Sequence, residues 1–378
     1  MAMAAETTEI RVPFLDLGAI HGDLKDELLE SFSALIDSGA FINGPAVREF
    51  EEAFADYVGT STAVGLASGL DALRLGLLAA GLEPGDEVIV PANTFVATLE
   101  AVTQAGGLPV PVEMSETDWN IDVQAAEAAI GDRTRFLMPV HLYGQMADMR
   151  ALLELAERRR LKLVEDACQA HGADRDGIGA GTRGAFSAFS FYPGKNLGAF
   201  GDAGALTTND AGLAEAAKSL REHGQRAKYE HEREGWTGRL DTIQAIVLLA
   251  KLARLDGWND ERRAIATHLL ERLDGVGDLE LPPVAADSSP VWHLFVVRTA
   301  DPSALGDFLR SRGIATGRHY PDPVHLTEAY RWLGYERGSF PLAERHAERV
   351  LSLPIFPGMT SDDAEAVVAA VSAFFDGG

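Results

Sequence analysis

The sequence predicts an α/β protein with a mostly parallel sheet, covered by helices on both faces, and a smaller second domain. The chain of 378 residues is longer than a domain with a single hydrophobic core usually is. Short apolar runs alternate with helical patterns between residues 59 and 210, as in a parallel sheet. This alternation stops near residue 240. We therefore expect a large domain over 12–255, including an N-terminal arm, and a small C-terminal α/β domain over 256–378.

The apolar runs are short, as expected of strands that are buried inside a parallel sheet. Leu73, Leu77 and Leu78 share one face of a helix predicted over 70–80. The sequence PGD at 84–86 is typical of a turn. A second helix is predicted over 147–160. Strands are predicted over 63–67, 87–90, 136–140, 162–165, 185–191 and 204–207.

Residues 242–255 are apolar almost all the way round a helix. A helix with this pattern is expected to be buried on every side, at a domain junction or a subunit interface. In the C-terminal part, the pattern predicts a strand over 292–298 and a helix over 303–312.

The composition argues against several classes of partner. The 57 Asp+Glu exceed the 33 Lys+Arg and give a net charge of −24, which repels phosphate backbones and anionic lipids. We expect no nucleic acid and no membrane as partner. The single cysteine, Cys168, excludes an intramolecular disulfide and fits a reducing cytoplasm. The N-terminus MAMAAETTEI has no signal-peptide pattern, so a soluble cytoplasmic protein is expected.

A glycine-rich segment contains the first candidate for chemistry. Residues 177–204 hold eight glycines in 28 positions, and Lys195 lies among them, shortly after an apolar strand. A buried lysine has a lowered pKa, and its neutral amine attacks carbonyl groups. The alternative interpretation is a lysine on a surface loop.

Three further features lie at predicted strand ends. Ser68 and Gly69 start a helix whose N–H groups would bind a phosphate. Asp166 ends a strand, where a buried carboxylate needs a cationic partner such as a protonated pyridine nitrogen. Phe95 follows another strand and could stack on a planar ring. Singly, these residues also fit helix caps and a core phenylalanine; together with Lys195 they predict a site for pyridoxal 5′-phosphate (PLP).

From about residue 12 to the C-terminus, the chain resembles the DegT/DnrJ/EryC1/StrS family of sugar aminotransferases, which are fold-type I PLP enzymes. The motifs that carry this resemblance are PFLDL at 13–17, SGLDAL at 68–73, EDACQAHG at 165–172, SFYPGKNLG at 190–198, GDAG at 201–204 and HYP at 319–321.

The resemblance implies a role for each cofactor-binding residue. Lys195 would be the catalytic lysine, which forms the internal aldimine and moves the proton during transfer. Asp166 would keep the ring nitrogen protonated, Gln169 would hydrogen-bond the phenolic oxygen, and Phe95 would stack on the ring. The phosphate would be held by Ser68, Gly69, the backbone of Leu70, and Ser190.

One motif departs from the family pattern. The family's Gly-x-Asn-x-Arg, whose Asn reaches the phosphate in the partner subunit's site, reads GWTGR at 235–239. Thr237 would replace that amide by one shorter, branched hydroxyl. The resemblance implies a homodimer with shared active sites.

The resemblance also implies a substrate class. The lysine segment and Gln169 are similar to the branch that acts on 3-keto nucleotide sugars. The expected reaction is a ping-pong transfer of the amino group of L-glutamate, which leaves 2-oxoglutarate, to a dTDP-linked 3-keto-6-deoxyhexose in deoxyamino-sugar and antibiotic biosynthesis. The alternatives are a 4-keto nucleotide sugar, a cyclitol ketone, or a PLP-bound regulatory protein without turnover. A sugar dehydratase is disfavoured, because that branch has His in place of the lysine.

Both expected substrates are anionic, so local positive charge must oppose the net charge of −24. Residues 218–239 carry six Lys and Arg against four Glu, although a solvated loop of mixed charge is the alternative. No metal site is predicted, because no ligand cluster at suitable spacing surrounds His319 and His325. The candidate substrate contacts are Lys228 and Tyr229 for the diphosphate, Arg239 for the glutamate carboxylate, and Tyr192, His319 and Tyr320 for the sugar pocket.

Overall fold

A computed structural model describes residues 9–377, so residues 1–8, most of the segment that argued against a signal peptide, lie outside the described residues. The strands are β1 Thr62–Leu66, β2 Glu87–Pro91, β3 Leu108–Val112, β4 Thr134–Leu137, β5 Lys162–Leu163, β6 Glu165–Asp166, β7 Asp174–Arg175, β8 Ile178–Gly179, β9 Ser187–Ser190, β10 Gly204–Thr208, β11 Gln225–Ala227, β12 Glu230–His231, β13 Ser288–Ser289, β14 Phe295–Arg298 and β15 Val350–Leu353.

The α-helices are α1 Leu17–His21, α2 Lys25–Ser38, α3 Pro45–Val58, α4 Gly69–Ala79, α5 Ala97–Gln104, α6 Val123–Ala128, α7 Met149–Arg159, α8 Ala211–Arg221, α9 Thr242–Leu252, α10 Leu255–Leu273, α11 Pro302–Ser311, α12 Pro341–Arg349 and α13 Ser361–Asp376. Short 3-10 helices span Gly22–Leu24, Leu142–Gly144, Val324–Leu326 and Glu328–Leu333. Within residues 9–377, no helix is both long and apolar enough to cross a bilayer.

The central sheet has two groups of strands, β3-β2-β4-β5 and β6-β9-β10-β1. They meet where β5 is followed by β6 and where Val140 forms a parallel bridge with Asp166. Every pairing is parallel except those on either side of β10, which runs opposite to β1 and β9. The predicted α/β fold with a mostly parallel sheet is confirmed.

Helices cover both faces of this sheet because successive strand residues point to opposite sides. Val88 and Val90 of β2 join the apolar cluster under α4, α5 and α8, whereas Ile89 joins the cluster under α3, α7 and α9. The strands β1, β2, β6 and β9 run in the same direction. Their carboxyl ends therefore lie at one edge of the sheet, where the chain leaves the core.

The C-terminal part has a core of its own. The antiparallel strands β14 and β15 pack with α10, α11 and α13 in one apolar cluster. Val12 joins this cluster and bridges Ile314, so the residues just before α1 belong spatially with the C-terminal part. The division of the chain between residues 255 and 256 stays a prediction.

The helix predicted over 242–255 differs in length and in burial. It ends at Leu252, and α10 begins at Leu255 after a short break. Within the single chain this helix is not buried on every side, since Ile243 is 41% exposed, and its burial at a subunit interface stays a prediction. Helix α9 packs against α3 and α2, and the loop at 198–200 contacts its Gln244 and Lys251, whereas Ile243 is left exposed.

Two strands also differ from their prediction. The strand predicted over 136–140 ends at Leu137, and beyond it Val140 makes only an isolated bridge. The strand β3, with the sequence LPVPV at 108–112, is not among the predicted strands. Its two prolines are tolerated because β3 is the edge strand of its group, where only one side donates and accepts hydrogen bonds in the sheet.

Gly76 of α4 is expected to be sensitive to enlargement, because a methyl group there would enter the buried ring of Phe186. Gly76→Ala should lower the free energy of unfolding by about 1–3 kcal/mol through overpacking. The matched control is Gly257→Ala in α10, where a Cβ would meet no atom within 4 Å. It should leave stability unchanged or raise it by about 0.5–1 kcal/mol. Urea unfolding curves check both values, and equal stability of the two variants would contradict the expected contact.

Candidate active site

A cavity of about 650 Å³ lies at the carboxyl ends of β1, β2, β6 and β9. This edge of a parallel sheet is where ligands bind in open α/β folds, because the loops that leave the strands diverge there. The cavity is closed on its other side by residues of the C-terminal part. The predicted site residues among its lining are Ser68, Gly69, Leu70, Phe95, Asp166, Gln169, Ser190, Tyr192, Lys195, His319 and Tyr320.

The start of α4 forms one end of the cavity. Ser68 is the N-cap, and its hydroxyl accepts a hydrogen bond from the Asp71 N–H at 3.0 Å. A Cβ on Gly69 would lie 2.7 Å from the Ser190 Cβ and 2.8 Å from the Cys168 Sγ, so only glycine allows α4 to begin so close to β6 and β9. The free N–H groups of this first helical turn therefore face the cavity next to the Ser190 hydroxyl, an arrangement that suits a phosphate.

Asp166 is a buried carboxylate that forms no ion pair among residues 9–377. Its Oδ2 accepts a hydrogen bond from the Thr98 hydroxyl at 2.9 Å, and its Oδ1 accepts one from the Cys168 N–H at 3.2 Å. The Thr94 hydroxyl lies 2.8 Å from that of Thr98 and extends the chain of hydroxyl groups. A buried carboxylate that faces a cavity is stabilised by a cationic N–H donor, so Asp166 fits a pyridinium nitrogen.

Lys195 reaches the same cavity from the loop that follows β9. A hydrogen bond of 2.8 Å from its backbone N–H to the Tyr192 carbonyl fixes the turn that carries it. Burial lowers the pKa of the Lys195 amine, while the Cys168 thiol and the Asp166 carboxylate act in the opposite direction. The dominant effect of burial favours the neutral amine, which is the nucleophilic form.

Phe95 and Gln169 lie between these two ends. Phe95 is 48% exposed although it is a large apolar side chain, and its ring centroid lies 5.3 Å from that of Tyr320. The buried Gln169 amide accepts a hydrogen bond from the Tyr143 N–H at 2.8 Å and donates one to the Tyr320 hydroxyl at 3.2 Å. These contacts fix the orientation of the amide, and the open face of Phe95 fits a planar ring.

The C-terminal part lines one side of the cavity with histidine and arginine side chains. His319 stacks on Phe14 with ring centroids 5.5 Å apart, and its Nδ1 lies 2.8 Å from the Ser352 hydroxyl. Burial and the charge of Lys195 lower the pKa of His319 to about 4, so its imidazole is neutral at pH 7. His293 and Arg262 line the same wall.

Sequence reasoning missed Thr98, His293 and Arg262. Arg262 lies inside the long helix α10, and His293 lies just before β14. No spacing pattern links them to Lys195, because only the fold of the C-terminal part brings them to the cavity. The sequence could have indicated Thr98 as a site residue, because it follows Phe95 by one turn at the start of α5.

Four predicted residues lie away from the cavity of their own chain. Thr237 is exposed and its hydroxyl lies 3.2 Å from the His223 Nε2. The Arg239 guanidinium forms an ion pair of 3.0 Å with Glu222. Lys228 and Tyr229 lie on the hairpin β11–β12. Their predicted contacts are not made within one subunit and stay predictions. Among the described residues, no group of three or more His, Cys, Asp or Glu is arranged to hold a metal ion.

The glycine-lined start of α4, the buried Asp166 and the Lys195 amine in the same cavity define the class of this protein: a PLP-dependent aminotransferase of the α/β type. The comparison with known families agrees, because the profile of the DegT/DnrJ/EryC1/StrS aminotransferase family matches residues 22–372. The chain belongs to this family.

Two curated relatives align with nearly the whole chain. A dTDP-3-amino-3,4,6-trideoxy-alpha-D-glucose transaminase of Streptomyces venezuelae is 50% identical over 98% of this chain and 97% of its own length. A 3-oxo-glucose-6-phosphate:glutamate aminotransferase of Bacillus subtilis is 33% identical over 95% of this chain and 82% of its own length.

Two solved structures are similar along almost their whole length. The crystal structure of S. venezuelae DesV in complex with a ketimine intermediate has a TM-score of 0.95 at 49% identity, and the match covers 97% of this chain and 99% of that chain. The structure of NtdA from Bacillus subtilis with the bound cofactor PMP has a TM-score of 0.88 at 31% identity, covering 97% and 85% of the two chains.

Gly69→Ala tests the close approach at the start of α4. We expect it to raise the dissociation constant of PLP by at least about tenfold, because a methyl group beside Ser190 and Cys168 displaces the N–H groups that face the phosphate. Spectrophotometric titration of the cofactor-free protein with PLP measures this constant. Gly257→Ala is again the control, and an unchanged constant in Gly69→Ala would place the phosphate elsewhere.

Proposed function

We propose that this aminotransferase transfers the amino group of L-glutamate to the keto group of a dTDP-linked 3-keto-6-deoxy sugar. The observation that carries the chemistry is the partly buried Lys195 amine, of lowered pKa, in one cavity with the buried Asp166, a carboxylate that forms no ion pair among residues 9–377. Support for the sugar comes from the S. venezuelae relative, whose name gives a dTDP-3-amino sugar.

Several polar groups of the cavity would hold the cofactor in this proposal. When bound, PLP supplies an aldehyde that condenses with amines and a ring that withdraws electrons from the reacting carbon. Asp166 would hold the proton on the ring nitrogen, and Gln169 would donate to the phenolic oxygen. The N–H groups at the start of α4, together with Ser68 and Ser190, would hold the phosphate.

Lys195 would move the proton in both halves of the reaction. Its Nζ would take the proton from the Cα of the amino donor and, in the second half, deliver a proton to C3 of the sugar. The lowered pKa of the Lys195 amine suits this role, because a neutral amine can accept a proton near pH 7. Phe14, Phe95 and Leu294 line the same cavity with apolar surface and limit the access of water to the reacting carbon.

L-Glutamate is the proposed donor, supported by the B. subtilis relative, whose name includes glutamate. We place the reaction in the cytoplasm, where the free thiol of Cys168 stays reduced.

Lys195→Arg is expected to lower turnover by at least about a thousandfold, because the guanidinium stays protonated and cannot act as nucleophile or base. The assay is mass spectrometry of the amino sugar formed from L-glutamate and a dTDP-3-keto-6-deoxyhexose. The control is Lys162→Arg, because the Lys162 amine bonds the Ala80 carbonyl away from the cavity. Full activity of Lys195→Arg would refute the chemistry. Faster reaction of the 4-keto isomer or of a cyclitol ketone would refute only the substrate.

We also propose a homodimer, since one surface of the subunit carries large exposed apolar side chains. This apolar face is continuous: Ile42 bridges Asp241 next to α9, and the Phe200 N–H donates to Gln244 at 2.8 Å. A second copy of the chain is its proposed occupant, because exposed apolar patches mark interfaces and closed two-fold dimers are the commonest assembly. Its residues are Leu29, Ile36, Phe41, Ile42, Phe200 and Ile243.

The hairpin β11–β12 lies beside the apolar face and is proposed to enter the partner's cavity. Asn43, next to that face, donates to Glu222 at 2.8 Å, just before the hairpin. At its tip, Tyr229 is 81% exposed and the Lys228 amine lies 5.3 Å from the ring centroid of Tyr229. Among residues 9–377, Lys228 forms no ion pair, so its charge is available for the diphosphate of the sugar. Thr237 would face the partner's cofactor phosphate from the same side.

Subunit complementation tests the shared site. Lys195→Arg is expected to be inactive by itself, and the double variant Lys228→Ala/Tyr229→Ala is expected to lose at least about tenfold in kcat/KM for the nucleotide sugar. After unfolding and refolding a 1:1 mixture, half of the dimers contain one intact site, so activity should return to about a quarter of the wild-type value. A mixture no more active than the sum of its separate components would contradict the shared site. Mixing Lys195→Arg with itself is the control.

A further inference from the structure

Arg262 is a buried cation that no acidic group neutralises. Only 2% of its surface is exposed, and among residues 9–377 the one other buried arginine is Arg298, at 8%. Arg298 forms ion pairs of 2.9 Å with Glu116 and 2.5 Å with Glu280. Arg262 forms no ion pair with the described residues. Its Nη1 donates to the carbonyls of Trp292 at 3.2 Å and Ile355 at 2.8 Å, and its Nε has no partner.

The charge of Arg262 is retained despite this burial. Burial lowers the pKa of Arg262 to about 10, so the guanidinium is still protonated at pH 7. The acidic group that favours its charged form is Glu261, whose Oε2 already accepts the Gly358 N–H at 2.8 Å. A buried cation without a counter-ion is unfavourable, and a bound anion would relieve that cost.

Arg262 lines the active-site cavity beside His293. The His293 Nδ1 is buried and has no hydrogen-bond partner. Burial, followed by the charges of Lys195 and Arg262, lowers the pKa of His293 well below its usual value, and all three side chains line the same cavity. A neutral imidazole can donate one hydrogen bond to an anion without adding charge. Arg262 and His293 thus each have a ring or guanidinium nitrogen without a hydrogen-bond partner, in the cavity that contains the Lys195 amine.

We propose that Arg262, together with His293, binds a carboxylate of the amino donor. The inference rests on the function proposed above and assigns a binding site for one of its substrates. A planar guanidinium binds carboxylate oxygens more specifically than an ammonium group does. The diphosphate of the sugar is the other anion available, but part of the sugar ring separates it from the reacting carbon. The α-carboxylate of an amino acid is attached to its reacting carbon, so it suits an anion site close to Lys195.

Arg262→Lys tests the site, because it keeps the positive charge and a donor for the two carbonyls. The two half-reactions are followed separately by stopped-flow absorbance, with L-glutamate and with the dTDP-3-keto sugar. A calorimetric titration with glutarate, a dicarboxylate without an amine, is made with and without PLP. We expect the KM for L-glutamate and the Kd of glutarate each to rise at least about tenfold, with the sugar half-reaction changed by less than about threefold.

Arg263→Lys is the matched control. Arg263 is the next residue in α10, where its guanidinium pairs with Asp260 at 2.8 Å and bonds the Pro290 carbonyl at 3.1 Å. It does not line the cavity, so neither half-reaction nor glutarate binding should change. His293→Gln is the second variant and leaves the two carbonyl contacts of Arg262 intact. It should show the same selective weakening of glutamate and glutarate, and it decides the question if Arg262→Lys does not fold.

The inference is overturned if glutarate affinity is unchanged, if both half-reactions weaken equally, or if only the sugar half-reaction weakens. The last result would assign Arg262 to the diphosphate instead. These outcomes are distinct from failure of the proposed function. If wild-type protein reacts with neither L-glutamate nor the keto sugar, the proposed reaction itself is wrong.

Discussion

The site depends on how closely the N-terminus of α4 approaches the ends of β9 and β10. Glycine at 69 and at 204 permits this approach: a Cβ on Gly204 would lie 2.7 Å from the Gly69 nitrogen. With α4 seated there, the N–H groups of its first turn lie beside Ser190, and the Asp166 carboxylate and Lys195 amine line the same cavity. The order of the sheet thus determines which chemical groups meet, and the two glycines allow the start of α4 to pack against β9 and β10.

The cavity holds two basic side chains, although the molecule as a whole is strongly acidic. The chain carries −24, yet the cavity combines Lys195 and Arg262 with the carboxylates of Asp166, Glu100 and Asp202 and two imidazoles of lowered pKa. Because screening limits the reach of surface carboxylates to about 8–10 Å, anionic substrates respond mainly to these nearby groups. Burial of the Arg262 guanidinium strengthens its effect, since fewer water molecules compete for a bound carboxylate or phosphate.

The sequence predicted the fold class and the cofactor residues because their signals are local. Ser68, Asp166 and Lys195 each follow an apolar strand, and parallel strands bring such positions together. Arg262 could not be predicted, since only the tertiary arrangement of α10 and β14 brings it to the cavity. The edge strand β3 was missed because its prolines oppose a strand assignment unless its place in the sheet is known. The exposure of Ile243 depends likewise on which helices pack against α9, which apolar periodicity alone does not reveal.

The visible absorption of the PLP-loaded protein before and after addition of L-glutamate tests the central claim most directly. Lys195 and PLP should produce a yellow band, and L-glutamate should bleach it as the amino group moves to the cofactor. A band that L-glutamate leaves unchanged would contradict the proposed donor reaction. If no band forms with saturating PLP, the assignment of Lys195 and of the whole cavity to this cofactor would be wrong.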